Sequence, residues 1–346
     1  MKYHGENPTF FELVLEDSLV KKPHFLDSFD EFFNWAPLEH EMKKLVKKSG
    51  YRSVGRPAYD ALKMLKVLLL QQWYSLSDPE IEEMLYDRMS FMRFTGFTPE
   101  YGIPDHSTIS RFRTFLSEKN RLVRLLKLIN AQLEEKNFFV KQGVIVDATI
   151  IESSRRPEKT IEVIQEDRHE DESRPTETTT SCEITYSDDT EATWLKKGKK
   201  SHYGYKLHQG VETGHGFIMG LVVTGANESD TGQLENVIKS CTMPRTVRCY
   251  TDKGYASEKN RDMLRELGLK NGIMYKKIKG QAMNPWAEKI NKLIGSLRYK
   301  VEQGFGILKR HYNFTRMRYI GIEKCTAECY LKAMAFNLKK AALMCD

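Results

Sequence analysis

The sequence predicts an α/β protein: a mixed sheet of five strands flanked by helices, preceded by an all-helical N-terminal segment. Three observations carry this. Up to about residue 140, apolar residues recur at helical spacing. From Gly143 onward, short β-branched runs alternate with helical stretches, the pattern of a sheet covered by helices. Near the end, a long helix with one apolar stripe closes the series. Residues 1–140 are therefore read as a helical N-terminal domain. Residues 141–346 are read as a second domain that carries the chemistry.

The helical half has clear start signals. "PAYDALKMLKVLLLQQWY" opens with Pro57, suited to a first turn, and repeats Leu62, Leu65, Leu69 and Trp73 on one side. "SDPEIEEMLYD" offers Asp78 as N-cap, Pro79 at the first helical position and acids in the first turn. "PDHSTISRFRTFLSEKNRLVRLLKLINAQLEEK" has Asp105 and Ser107 as capping residues before one long amphipathic pattern. Its start offers His106, Thr108, Ser110, Arg111 and Arg113, a polar and basic set that suits a helix-turn-helix reader. Arg111 and Arg113 are the expected DNA contacts. A packing or dimerisation module is the alternative.

The second half begins with "VIVDATII", a strand buried on both faces except for Asp147. Residues 155–195, rich in Thr, Ser, Glu and Asp, read as a long loop or partly disordered insertion. "GYKLHQGVE" is the second strand, and "GFIMGLVVTG" the third after the turn-forming "TGHG". "ESDTGQLENVIKSC" reads as a helix capped by Ser229 or Asp230. "RTVRCYTD" is a fourth strand ending in Asp252. "SEKNRDMLRELG" is a helix that stops at Gly268, and "NGIMYK" a fifth strand.

The final long helix runs from about Trp286 to Tyr312, with Ile290, Leu293, Ile294, Leu297, Val301, Phe305, Leu308 and Tyr312 as its stripe. Gly295, Arg298, Glu302, Gly306 and Lys309 recur beside it at spacings of three or four and share a face. A glycine costs a helix interior about 1 kcal/mol relative to alanine. Here the glycines keep the surface low beside Glu302, so that something bulky can approach.

Composition bounds the function. The 346 residues, 40% hydrophobic and 29% charged, suit a soluble globular chain with room for two cores. The longest apolar run falls short of the roughly 18 residues that span a bilayer, so no membrane partner is expected. The first residues carry acids and lack a signal-peptide pattern. Six cysteines without a CxxC pair indicate reduced thiols in a cytoplasm. The net charge of +7 is unevenly spread: residues 158–191 hold twelve acids against three Lys and Arg, whereas 253–318 hold sixteen cations against five acids. Seven aromatic residues interleave that basic stretch, among them Tyr275, Trp286 and Tyr299, which suits a phosphate-rich partner. An acid inside a buried strand is costly unless paired or metal-bound, which singles out Asp147.

The order β-β-β-α-β-α-β-α, with acids in the first strand, after the fourth and on the last helix, resembles the ribonuclease-H-like fold. That fold makes the first and fourth strands parallel neighbours, which implies that Asp147 and Asp252 meet, with Glu302 presented by the last helix. "VIVDATII", "GYKLHQGVE", "TGANESDTGQL", "YTDKGY" and the R-x3-E-x6-K of Arg298, Glu302 and Lys309 resemble the DDE transposases of bacterial insertion sequences. The insertion-sequence-five family is the nearest likeness. "GRPAYDALKMLKVLLLQQWYSLSDPEIEEML" through "PDHSTISRFR" is similar to that family's N-terminal domain. The likeness spans most of residues 50–340. One departure is that the tyrosine usual three residues before the arginine is Gly295 here, while Tyr299 points to a different face.

The resemblance implies Asp147, Asp252 and Glu302 as catalytic metal ligands for two Mg²⁺ (or Mn²⁺) ions. Carboxylate oxygens suit such hard cations, and the motifs place no His or Cys ligands as zinc would prefer. It implies phosphate contacts from Arg298 and Lys309. Lys253, Lys206 and His208 lie where DNA could pass, and Asp230 reads as a helix cap and not as a fourth ligand. His202 and His208 could serve as bases, but a two-metal site needs none. The expected activity is cut-and-paste transposition: binding the terminal inverted repeats, cutting and joining double-stranded DNA, as a homodimer or larger synaptic complex. A nuclease or resolvase without strand transfer, and a non-enzymatic DNA-binding protein, remain open on sequence; a glycoside hydrolase suits the basic surroundings poorly.

Overall fold

The computed structural model describes residues 25–27, 29–49, 58–98, 102–139, 142–165, 178–244, 246–277 and 280–345. Pro57 and residues 166–177 of the acidic segment lie outside them. Seven α-helices come first among these residues: α1 (Phe29–Phe32), α2 (Ala36–Ser49), α3 (Ala61–Tyr74), α4 (Asp78–Asp87), α5 (Met89–Thr95), α6 (His106–Ser117) and α7 (Arg121–Glu135). Asp60 caps α3 by accepting from Lys63 N at 2.9 Å. All of residues 64–73 are buried, so α3 is the centre of the helical layer and not a surface helix. The cap of α4 is Ser77, one residue before the expected Asp78, in a reciprocal capping box with Glu80. Asp105 caps α6 as expected, accepting from Thr108 N at 2.8 Å. The single long pattern read from there breaks into α6 and α7, because Lys119 and Asn120 take left-handed backbone angles (φ 53° and 55°) between them.

The sheet has six strands where five were expected. β1 (Gly143–Glu152) pairs antiparallel with β5 (Lys200–Glu212) and parallel with β7 (Arg248–Thr251), which pairs in turn with β8 (Lys270–Ile273). The long β5 shares its other edge between β4 (Thr193–Lys197) and β6 (Ile218–Gly225). β4 is the extra strand. The two-residue turn Gly198-Lys199, with Gly198 at φ +62°, folds it back onto β5 so that Lys197 faces Lys200. The loop reading of residues 155–195 is corrected further by an antiparallel ribbon, β2 (Glu158–Gln165) with β3 (Thr178–Thr185). Its Thr, Ile and Val content favours extended backbone despite the acids.

Four helices complete the fold: α8 (Asp230–Ser240), α9 (Glu258–Glu266), α10 (Pro285–His311) and α11 (Ile322–Cys345). Alternation along β1 sends Val144 and Val146 to one face, into a core with Leu234 and Val237 of α8 and Leu264 of α9. Ile145 and Asp147 face the other way, where α10 crosses β1 and β7. The sequence reading contains no α11. It is buried throughout residues 327–338 and packs on β6, α3, α6 and α7, so a single apolar core runs across residue 140. Trp73 Nε1 donates to Ala335 O at 2.7 Å, and Asn337 Oδ1 accepts from Ile218 N at 2.9 Å, tying helices to sheet.

Candidate active site

Parallel pairing brings the first two acids together. Val146 of β1 is the register partner of Thr251 of β7, so the residues that follow, Asp147 in mid-strand and Asp252 just past β7, sit side by side where that pairing ends. Asp252 leaves β7 in an extended conformation and caps a short 3-10 turn, Lys253–Tyr255, by accepting from Gly254 N at 2.8 Å. Gly254 leaves room for both carboxylates: a Cβ would stand 3.0 Å from Asp252 Oδ1 and 3.4 Å from Asp230 Oδ2. Asp230 therefore faces the same spot. It is the first residue of α8, one past the cap position, and its Oδ1 lies 3.0 Å from Lys206 Nζ, so it is not the cap that the sequence suggested.

Helix α10 supplies the third acid. Asn284 caps it through Trp286 N at 2.9 Å, and Pro285 occupies its first position. Ala287, Ile294, Val301, Gly304, Phe305 and Leu308 form the buried stripe, whereas Leu293, expected in it, is exposed. Gly304 belongs to the stripe and sits over Gln209 of β5; Gly306 has open space where a side chain would be. On the flank, Arg298 donates to Asp147 Oδ2 at 2.7 Å and lies 3.5 Å from Glu302 Oε1. Asp147 Oδ1 accepts from Ala148 N at 2.9 Å.

The electrostatics follow from that geometry. Burial raises the Asp147 carboxyl above its ordinary range; the Arg298 guanidinium opposes this, and nearby Asp252 adds repulsion. The buried Tyr255 phenol is raised by burial and by Asp230, Asp147 and Asp252, so three carboxylates converge around one ring. Glu302 is the outlier, with its side chain 61% exposed. Among the described residues no three His, Cys, Asp or Glu side chains lie close enough to hold a metal as they stand. The reason is visible: the guanidinium of Arg298 lies between Asp147 and Glu302, where a cation between them would lie. The donors are hard carboxylate oxygens around a buried anion, which fits Mg²⁺ or Mn²⁺.

The expected DNA contacts divide. Arg111 and Lys253 are exposed. Lys309 is half-buried, donates to Ile150 O at 3.3 Å, and is lowered by burial and by Lys197, with Glu152 opposing. Lys206 is buried and donates to Glu228 O at 2.5 Å. Two assignments are corrected. Arg113 is buried, forks onto both oxygens of Asp78, and stacks over the Tyr319 ring, so it holds α4, α6 and the segment before α11 together. His208 is fully buried between the Tyr255 hydroxyl (3.3 Å) and Thr224 Oγ1 (3.2 Å), out of reach of DNA. Burial, with Lys206 adding and Asp230 opposing, pushes its imidazole down to about 4, so it is neutral near pH 7. The residue that sequence reasoning missed is Gln209, register partner of Asp147 on β5. Its place opposite an acid in a strand pair is legible only once the register is known.

Comparison with known proteins gives concordant matches. Residues 139–338 match the family described as Transposase DDE domain, and residues 14–115 match a second, described as Transposase domain (DUF772). The chain is 35% identical over 235 residues to the transposase for insertion sequence element IS1106 of Neisseria meningitidis serogroup B, covering 67% of this chain and 77% of that protein. Among solved structures, a piggyBac transposase synaptic complex with hairpin DNA overlaps 94% of this chain and 76% of its own, with 8% identity and a TM-score of 0.45. A Mos1 mariner paired end complex with Mn overlaps 95% and 97%, with 10% identity and a TM-score of 0.21.

Proposed function

Because the chain belongs to the DDE transposases, we infer that it cuts and joins DNA at the ends of its own element, with Asp147, Asp252 and Glu302 as the working acids. The observation that carries this is the side-by-side placement of Asp147 and Asp252 on parallel strands, with Glu302 drawn toward the same spot by Arg298. Two Mg²⁺ or Mn²⁺ ions held by these carboxylates would supply an activated attacking oxygen and a neutralised leaving oxygen.

The chain's own residues do the rest. Asp147 is anchored by Ala148 N and by the pairing of β1 with β5, so its position does not depend on substrate. Gly254 leaves the floor between Asp230 and Asp252 open. Arg298, freed from Asp147, would present its guanidinium fork to a phosphate, with Lys253, next after Asp252, and Lys309, on the same helix as Glu302, as further cations. His208 stays neutral and takes no proton from substrate at pH 7; with Tyr255 it props the strand layer under the acids. The N-terminal helices would read the terminal inverted repeats through exposed residues at the start of α6, Arg111 and Ser110 among them. Two ends must be held together, so the active form is a homodimer or larger synaptic complex, working on cytoplasmic DNA.

The test is direct. The purified chain, a duplex carrying the element end, and Mg²⁺ or Mn²⁺ should give joined strands. Asp147→Asn, Asp252→Asn and Glu302→Gln should each abolish joining while leaving the fold intact. Cleavage without joined products would replace this reading with a nuclease; full joining by any of the three variants would end it.

A further inference from the structure

A cleft of about 710 Å³ opens directly from the residues that follow Asp147 on β1, with Ala148, Thr149 and Ile150 in its floor. Its walls carry Lys196 and Lys197 of β4, Lys309 of α10 and Arg316 beyond it. Its two acids are already engaged, Glu152 with His202 at 3.0 Å and Asp230 with Lys206 at 3.0 Å. Lys196, Lys197 and Arg316 are exposed and make no ion pair among the described residues. The turn at Gly198 continues the same charge: Lys199 and Lys200 complete a basic hairpin tip, with all four lysines exposed. Lys309 and Lys197 repel one another, so the cleft is an arrangement that an anion relieves.

We propose that this cleft and the β4–β5 hairpin tip form a sequence-independent seat for the DNA backbone, extending the active site along the strand beside the cut phosphate. This rests on the reading of the chain as a DNA-joining enzyme, and to Lys309 it adds Lys196, Lys197, Lys199, Lys200 and Arg316, which none of the quoted motifs contains. Backbone seats are read by salt: the logarithm of affinity falls against the logarithm of salt with a slope near −0.9 per phosphate neutralised. Binding of a 30-base-pair duplex lacking the element end is followed by fluorescence anisotropy in EDTA, so that no chemistry occurs. The double variant Lys196→Gln/Lys197→Gln should make the slope shallower by about 2, and Arg316→Gln by about 1 more. These side chains are exposed, so thermal unfolding should be unchanged. A control, Lys239→Gln on α8, where Lys239 pairs with Glu235 at 2.6 Å, should leave the slope alone. Equal slopes in wild type and the triple variant would overturn the seat while leaving the joining reaction standing. Failure of the wild type to bind any duplex would overturn the functional reading itself.

A different observation concerns Gln209. It is fully buried, cross-strand from Asp147, with its amide under α10 at Gly304, and neither its Oε1 nor its Nε2 has a hydrogen-bond partner. A buried amide without partners is costly, and cross-strand partners have Cβ atoms only about 5 Å apart on the same face. We infer that Gln209 is a positioning residue, whose amide holds a water of the cation bound at Asp147; this too rests on the metal reading of the acids. The test pairs two measurements of opposite sign on the full chain. Gln209→Leu should melt at the same or a higher temperature, because it removes the orphaned amide, yet bind Mn²⁺ about tenfold more weakly by calorimetry. Gln209→Met, a flexible near-isostere, guards against misfolding of the leucine variant. Unchanged Mn²⁺ affinity in a folded variant would overturn the role; absence of Mn²⁺ binding by the wild type would overturn the metal reading instead.

Discussion

Replacing Arg298 by alanine removes the only cation that touches Asp147 among the described residues, and the structure sets the scale of the loss. The pair is 2.7 Å apart, with 18% of the Arg298 side chain and 13% of the Asp147 side chain exposed. Two unit charges 4 Å apart attract by about 4 kcal/mol at an effective dielectric near 20. Severing a buried pair costs about 3–5 kcal/mol, and the residual exposure of both groups brings the expected loss to about 2–3 kcal/mol. Burial already raises the Asp147 carboxyl, and without the guanidinium only the Ala148 N–H opposes it, so the variant recovers part of its stability as pH falls and Asp147 takes a proton. A divalent cation should substitute for the lost guanidinium without competing with it. Urea unfolding at constant ionic strength, with and without MnCl₂, reads both effects: Mn²⁺ should raise the midpoint more in Arg298→Ala than in wild type. A loss below about 0.5 kcal/mol, together with equal Mn²⁺ stabilisation of the two proteins, would refute the idea that Arg298 holds the cation's place.

Other outcomes follow from the same geometry. Arg113→Met should destabilise the protein by about 3 kcal/mol, measured by urea unfolding, because it strands the Asp78 carboxylate. Arg111→Ala should change stability by less than about 0.5 kcal/mol yet weaken binding to duplex carrying the element end, measured by anisotropy. The folded-state imidazole of His208 lies near 4 against an ordinary 6.5, so the unfolded chain binds more protons between those values. Its contribution is therefore fully present above pH 6.5 and is lost as pH falls toward 4. About 2 kcal/mol should disappear between pH 7 and pH 5, and His208→Gln should flatten that part of the profile.

How much could be read from sequence depended on whether the signal was local. Asp147 stood out because a lone charge in a β-branched run needs a partner, and the cap Asp105 sits immediately before the helix it starts, whereas the true cap of α3, Asp60, was passed over for Pro57. Asp252 and Glu302 became legible only through the resemblance, since parallel strand pairing is what joins them to Asp147. Arg113 looked like a DNA contact by charge, yet it falls with Ile109, Phe112 and Leu116 on the buried side of α6, a signal present in the spacing. His208 was misplaced because β5 is buried on both faces from Tyr203 to Glu212, so alternation gives no guide there. Helix α11 escaped notice for the related reason that it is buried all round and has no stripe. The β2–β3 ribbon was hidden by acids that mark a loop by composition, although its strands hold only three of them among Thr, Ile and Val.

The most direct measurement is the anomalous signal of Mn²⁺ in crystals of the chain bound to duplex carrying the element end. The account predicts manganese against the carboxylates of Asp147 and Asp252, with Glu302 turned in toward it and Arg298 moved off Asp147 onto a DNA phosphate. Manganese bound elsewhere, with Arg298 still bonded to Asp147, would contradict it.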